Sequence, residues 1–243
     1  MPLDGARAAQ EIERELVAAG TPERAAGEKR YLKSSLEHLG ATHGANRSVV
    51  HAFARNHPRL RHDELIAVVR ALWARPVFDT RLAGALLLEV ELELLGPDDL
   101  PLLLELVRDS HTWALVDQLA ADVIGRLLMR HPEAGRRLDP WALDGDFWVR
   151  RSALLSNLPA LSRGTGFARF ARYADGMLEE REFFIRKAIG WGLREAGKRL
   201  PDEVYGWLEP RISRASGVTV REAVKYLDPQ RRAHLLAAYR ARA

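Results

Sequence analysis

The chain has 243 residues, of which 47% are hydrophobic and 29% charged, and it has no cysteine. This length fits one large domain or two small ones, and the apolar fraction can fill a sizeable core. The absence of cysteine excludes disulfides, zinc–thiolate sites and iron–sulfur clusters, and it favours a cytoplasmic protein. No apolar run reaches the length of a bilayer span, so the sequence excludes a membrane-embedded protein.

Basic residues are concentrated in the C-terminal part of the chain. Residues 1–145 have 18 Lys and Arg against 22 Asp and Glu, whereas residues 146–243 have 19 against 11. A basic half in a chain whose net charge is only +4 is typical of a protein that binds a polyanion. A solvated surface with unequal charges explains the same counts equally well.

Nearly every segment has helical periodicity, and none has sustained strand alternation. Proline and glycine mark the joints between segments. The sequence therefore predicts an all-α protein, organised as one domain over residues 1–243. The predicted helices cover 5–19, 22–40, 47–56, 63–74, 79–95, 98–108, 112–130, 147–161, 167–178, 183–199, 201–213 and 220–243, with a short piece at 140–141 and a break near 228–229.

Four tryptophans indicate a repeat. Trp73, Trp113, Trp148 and Trp191 lie 40, 35 and 43 residues apart. Such periods suit stacked helix hairpins of the HEAT type. We therefore expect a right-handed α-α superhelix, a solenoid of HEAT-like repeats with a concave face.

The starts of the later second helices resemble one another. Residues 147–153 align with 183–189, and 218–224 form a weaker third copy. Basic side chains at helix N-termini on a concave face suit a phosphate backbone. Alternatively, these side chains pack along their stems and bridge neighbouring repeats. The basic residues concerned are Arg150, Arg151, Arg186, Lys187 and Arg221.

Trp113 and Asp117 are four residues apart, so they share one helical face. We expect Ser110 or Thr112 to cap this helix. An isolated buried carboxylate is costly, so Asp117 is either paired with a basic partner such as Arg151 or kept for chemistry.

The solenoid would bring Trp113, Asp117, Arg151 and Trp191 into one cleft. Tryptophans at helical spacing otherwise belong to the core, and we assign Trp148 to the core.

Several segments resemble the HEAT-like DNA alkylation repair glycosylases, the AlkD-like family. The resembling segments are 31–33, 70–73, 113–117, 148–153, 182–195 and 221–223. The Phe-Phe-Ile-Arg-Lys-Ala-Ile-Gly-Trp run and the Trp-x-x-x-Asp pair are the specific ones. The resemblance implies a monofunctional DNA glycosylase that removes cationic alkylated purines, such as 7-methylguanine and 3-methyladenine, without base flipping.

The resemblance also implies residue roles. Asp117 matches the catalytic aspartate, and Trp113 and Trp191 match two indoles that flank the deoxyribose. Arg151 matches an arginine that contacts the DNA backbone, and Tyr31 matches a tyrosine of the same cleft. The implied partner is double-stranded DNA containing alkylated purines, bound by a monomer associated with the nucleoid, with no metal or cofactor.

Two departures and two alternatives accompany this resemblance. Thr112 stands where a relative has a second tryptophan, and Arg150 replaces a neutral polar residue. The first alternative is a non-catalytic HEAT-repeat protein that binds damaged or unusual DNA. The second is a protein-binding scaffold.

The implied chemistry is physically consistent. Alkylation makes the purine cationic and a good leaving group, and cleavage of the glycosidic bond builds positive charge on the sugar. A carboxylate and two aromatic faces stabilise that charge. A cleft without a base pocket would also accept bulky adducts.

Overall fold

The computed structural model describes residues 3–241, and the regular secondary structure within them is helical. This part of the chain has no β-strand and a single isolated bridge between Glu37 and Val77. The all-α prediction is confirmed. Among the same residues, no helix combines the length and hydropathy needed to cross a membrane.

The structure divides into two compact units, Met1–Leu127 and Leu128–Ala243. The single domain over 1–243 stays a prediction. The helices of the first unit are α1 (Gly5–Ala19), α2 (Pro22–Leu32), α3 (His43–Asn56), α4 (His62–Trp73), α5 (Phe78–Val90), α6 (Leu100–Arg108) and α7 (Trp113–Asp117). A π-helix, Gln118–Gly125, continues α7 and leads into α8 (Arg126–Arg130).

The second unit follows from the end of α8. Its helices are α9 (Phe147–Leu155), α10 (Leu158–Ser162), α11 (Phe167–Gly176), α12 (Phe183–Gly197), α13 (Pro201–Leu208), α14 (Gly217–Ala223) and α15 (Pro229–Ala241). The break expected near residues 228–229 is confirmed, because α15 begins at Pro229.

Helix α2 ends earlier than the sequence predicts. It was expected to continue to residue 40, but it stops at Leu32 because Lys33 adopts the left-handed conformation, with φ at 49°. The buried Asp79 carboxylate then accepts the amides of Leu39 and Ala41 at 2.7 and 3.0 Å. These long-range bonds hold the following segment out of a helix.

The core of the first unit is built around α5. Every residue from Phe78 to Leu88 is buried, and this helix packs against α3 and α4. The apolar run 82–88 is typical of a helix surrounded by neighbours rather than one lying at a surface. This packing fixes the side chains of α5 that the candidate site uses.

The core of the second unit is built around α12, which packs against α9, α10 and α14. Gly190 and Gly192 permit this packing. A Cβ on Gly190 would meet Glu222 Cβ at 2.9 Å, and one on Gly192 would meet the Phe170 ring at 2.2 Å. Because Gly190 has no side chain, α14 packs closely against α12, and because Gly192 has none, the Phe170 ring does the same. These two positions flank Trp191 in the sequence.

The tryptophans do not mark one repeat position. Trp73 ends α4 and is buried, Trp113 begins α7, Trp148 is the second residue of α9, and Trp191 lies in the middle of α12. The spacing of 35 to 43 residues that suggested a repeat is therefore not a structural equivalence. Trp148 is also only half-buried, so its assignment to the core was wrong.

An arginine is the better marker of equivalence. Arg81, Arg150 and Arg186 are each the fourth residue of their helix, α5, α9 and α12. Each donates to the backbone carbonyl six residues earlier, at 3.1, 2.6 and 2.7 Å. The alignment of 147–153 with 183–189 is thus confirmed as a shared helix start, and it extends to α5.

Candidate functional site

In the first unit, Trp113 and Asp117 open and close α7, one turn apart on the same helical face. The helix predicted from 112 to 130 exists, but its middle is π-helical from Gln118 to Gly125. π-Helical stretches are rare and occur frequently at functional sites. Asp117 therefore stands at the junction between α-helical and π-helical backbone.

The entry to α7 is unusual. His111 has φ at 52°, in the left-handed region that a side chain other than glycine seldom adopts. Thr112 occupies the N-cap position, but its hydroxyl caps no amide and is buried without a hydrogen-bond partner in residues 3–241. Ser110 instead donates to the Leu106 carbonyl at 2.8 Å. The predicted side-chain cap is therefore wrong for both residues.

Tyr31 is the second aromatic residue at this place. Its ring centroid lies 6.1 Å from that of Trp113, at an interplanar angle of 79°. This is the edge-to-face arrangement that aromatic pairs prefer. Tyr31 is 74% exposed, and Trp113 is half-buried. The structure thus brings together two of the predicted site residues from distant parts of the sequence.

Glu89 of α5 anchors the π-helix. It accepts two bonds from Arg47 of α3 at 3.2 and 3.0 Å, one from Gln118 at 2.9 Å and one from Arg126 at 3.3 Å. Charge-assisted bonds of this kind are among the stronger ones in proteins. One carboxylate therefore connects α3 and α5 to both ends of the helical segment that follows Asp117.

Asp122 lies in the middle of the π-helix and is half-buried. Burial raises its pKa, and the nearby Glu89 charge raises it further, against the opposing charges of Arg126, Arg47 and His43. Sequence reasoning missed both Glu89 and Asp122. Their significance depends on contacts between helices that no local pattern contains.

In the second unit, Arg151 is buried, with 1% of its surface exposed. Its Nη1 donates to the Phe184 carbonyl at 2.5 Å, and its guanidinium lies 5.7 Å from the centre of the Phe184 ring. The buried side chain therefore connects α9 to the first turn of α12.

Arg150 and Arg186 are also engaged within the protein. Arg150 donates to both Glu180 carboxylate oxygens at 2.9 and 2.7 Å, and Arg186 donates to the Glu180 carbonyl. These contacts match the packing role that was the alternative for these arginines. Lys187 and Arg221 are exposed at their helix surfaces, and Trp191 is half-buried.

An aromatic cluster lies at the start of α9 and α12. The Phe147 and Trp148 rings are 4.4 Å apart, Trp148 and Phe184 are 4.9 Å apart, and Phe183 and Phe184 are 5.6 Å apart. Phe183 is 53% exposed. The sequence contained these residues in its aligned motif, but it gave no sign that their rings contact one another.

The model of the family described as "DNA alkylation repair enzyme" matches residues 12–227. The chain belongs to the DNA alkylation repair enzyme family. No curated protein sequence matches the chain.

Two solved structures resemble this family member. One is a predicted DNA alkylation repair enzyme from Enterococcus faecalis, with a TM-score of 0.79 and 21% identity, covering 86% of this chain and 97% of the other. The second is AlkD2 from Streptococcus mutans, with a TM-score of 0.61 and 15% identity, covering 85% of this chain and 98% of the other. At these identities, the likeness shows a shared fold.

The matched range includes each residue predicted for the site of this DNA alkylation repair family member. The structure places Tyr31, Trp113 and Asp117 in the first unit, with the first two in ring contact. The second unit holds Trp191 and the predicted DNA-contacting residues Arg150, Arg151, Arg186, Lys187 and Arg221. The roles of all of these residues stay predictions.

Among residues 3–241, Glu28, His38 and Asp79 have ligand atoms within 4.8 Å of one another. Such spacing is compatible with a metal ion, but both Asp79 oxygens already accept backbone amides. His38 Nδ1 also lies 3.1 Å from Glu28, and its ring stacks on Phe78. We assign the group a structural role in holding the segment after α2.

Proposed function

We propose that the protein is a monofunctional DNA glycosylase, which hydrolyses the bond between deoxyribose and a cationic alkylated purine. The observation that carries this proposal is the pair on α7. An aspartate and an indole lie one turn apart on one helix face, with Tyr31 edge-on to the indole. Membership of the DNA alkylation repair enzyme family supports the same conclusion.

The chemistry follows from where charge develops. The alkylated purine leaves as a neutral base and takes the bonding electrons, so positive charge builds on the deoxyribose. The Asp117 carboxylate stabilises that charge and holds the attacking water, which adds its oxygen to C1′ and releases its proton. The aromatic face of Trp113 stabilises the same charge. We assign Trp191 the second aromatic face, because it matches the family's second indole.

This proposal extends to how DNA is held. The exposed Lys187 and Arg221 are proposed to act at the DNA backbone, which a glycosylase can grip without flipping the base. The buried Arg151 is proposed to support that grip by connecting α9 to the first turn of α12. Contacts to phosphate read no sequence and no lesion. Loss of such a contact is therefore expected to weaken turnover on 7-methylguanine, 3-methyladenine and bulky adducts alike.

The test is release of modified base from alkylated duplex DNA. The wild-type protein is expected to release 7-methylguanine and to leave an abasic site with the strand unbroken. Asp117→Asn is expected to bind the same duplex and to release no base above background. Equal release by the variant would reject the assignment of Asp117.

The other outcomes identify the alternatives. Binding of damaged duplex without base release by the wild-type protein would indicate a non-catalytic DNA-binding protein. No binding even at low salt would indicate a protein-binding scaffold, because phosphate contacts strengthen as salt falls.

A further inference from the structure

Three exposed cations flank Tyr31 in the sequence at the end of α2. Lys29 and Arg30 lie in the last turn of the helix, and Lys33 follows it. All three side chains are exposed, and none of them forms an ion pair with any residue of the described range 3–241. We call these three residues the α2 basic edge.

The α2 basic edge is unusual within its own unit. Residues 1–127 contain 15 Lys and Arg against 19 Asp and Glu, so acidic partners are in excess. Most other cations of the unit form an ion pair with an acidic residue. The ion-paired arginines are Arg7, Arg24, Arg47, Arg61, Arg70, Arg75, Arg81 and Arg126. Arg14, Arg55 and Arg59 are also exposed and form no ion pair with residues 3–241. Within the described part of this unit, the end of α2 is where three such cations lie within five residues.

Helix stability explains only part of this edge. Cations in the last turn interact favourably with the negative end of a helix, which accounts for Lys29 and Arg30. Lys33 lies beyond that turn, at the position after the helix where the left-handed conformation normally selects glycine. Lys33 occupies this position in spite of a backbone conformation that disfavours a residue with a side chain.

The position of the edge points to its ligand. Tyr31 lies within these three residues in the sequence, and its ring contacts Trp113, which begins the helix of Asp117. The negative end of α2 is partly neutralised, because the Arg30 and Lys29 carbonyls accept the amides of Lys33 and Ser34. A phosphate group can therefore approach these cations at the end of α2, the helix end that carries Tyr31.

We propose that Lys29, Arg30 and Lys33 bind phosphates of the DNA backbone next to the nucleotide that faces Trp113. This inference rests on the proposed function for the identity of that nucleotide. It adds a DNA-contacting surface to the acidic unit of the protein, in addition to the basic residues proposed in the second unit.

The first experiment neutralises the edge. The triple variant Lys29→Gln, Arg30→Gln, Lys33→Gln is compared with Arg7→Gln, Arg61→Gln, Arg70→Gln, which removes the same charge from exposed, ion-paired arginines. Binding to undamaged duplex DNA is measured over a range of salt concentrations. Each phosphate contact makes the slope of log K against log salt more negative by about 0.9. Loss of three contacts should therefore make the slope of the edge variant less steep by about 2 to 3. The control variant should keep the wild-type slope, and equal slopes for all three proteins would overturn the proposal.

A second variant separates binding from folding. Lys33→Gly removes one cation and supplies the residue that the left-handed conformation favours. It is therefore expected to raise the melting temperature. It should also make the slope of log K against log salt less steep by about 1. A stabilised protein with an unchanged slope would also overturn the proposal.

Base release distinguishes this inference from the proposed function. At protein concentrations below saturation, the edge variant should release 7-methylguanine more slowly than the wild-type protein, because it loses affinity for DNA. The control variant at Arg7, Arg61 and Arg70 should release it at the wild-type rate. If the wild-type protein releases no base, the glycosylase proposal fails while the binding experiments still decide on the edge.

Discussion

The two units differ in charge and in the way they use it. Residues 1–127 carry a net charge of −4 and contain the candidate catalytic aspartate, whereas residues 128–243 carry +8. Yet the second unit keeps many of its arginines internally engaged, as Arg150 is with Glu180 and Arg194 with Glu222. The first unit, although acidic, has the unpaired cations of the α2 basic edge. Net charge therefore does not show which side chains are available to a phosphate.

The largest effect is expected at Arg151, which tests whether a basic residue of the second unit supports the fold. Arg151→Ala removes a buried side chain and leaves the Phe184 carbonyl without this donor, so we expect a loss of about 2 to 4 kcal/mol in the free energy of unfolding. Urea denaturation measures it.

Arg221→Ala is the matched control because Arg221 is exposed, and surface changes usually stay within about 0.5 kcal/mol. If both variants unfold at the wild-type urea concentration, Arg151 has no structural role.

A smaller effect is expected at Glu89, which tests the anchoring of the π-helix in the first unit. Glu89→Gln removes the charge shared by Arg47, Gln118 and Arg126, and it should cost about 1 to 2 kcal/mol of stability. Hydrogen exchange of the amides at 118–125 should accelerate more than that of α5. Unchanged exchange across 118–125 would show that Glu89 does not hold this segment.

A smaller effect still is expected for Tyr31. Tyr31→Phe keeps the ring beside Trp113 and should leave stability unchanged, whereas Tyr31→Ala should cost about 0.5 to 1.5 kcal/mol. The difference between the two variants isolates the ring contact. In a Trp113→Ala background this difference should disappear, and its persistence would place the effect elsewhere.

The smallest effect is expected at Asp122. Because burial raises its pKa in the folded protein, the ionised carboxylate opposes folding at neutral pH. Asp122→Asn should therefore raise the melting temperature at pH 7.5. The gain should shrink as pH falls through the folded pKa and vanish below the unfolded value of about 3.9. A gain that is the same at pH 7.5 and pH 4 would contradict this account.

Much of the fold was predictable because helix periodicity and capping are local. Thr21 accepts the Arg24 amide at the start of α2, and Pro229 begins α15, as the sequence suggests. The early end of α2 was not predictable, because it depends on Asp79, 40 residues from its hydrogen-bonding partner Leu39. Tertiary contacts of this kind override local propensity.

The candidate site was predictable in its local features and not in its contacts between helices. The spacing of Trp113 and Asp117 on one helix follows from periodicity, and Tyr31 was assigned to the site by family resemblance alone. The π-helix after Asp117 was not predictable, since the sequence there keeps an ordinary apolar stripe. Its anchor, Glu89, contacts Arg47 and Gln118 across 42 and 29 residues.

The central claim concerns Asp117, and the most direct measurement compares it with Asp122 five residues later on the same helical segment. The single-turnover rate of 7-methylguanine release is measured for Asp117→Asn and Asp122→Asn at saturating protein. We expect Asp117→Asn to lose about 10²-fold or more, as expected for a group that stabilises transition-state charge, and Asp122→Asn to stay close to the wild-type rate. Release by Asp117→Asn at the wild-type rate would contradict the account.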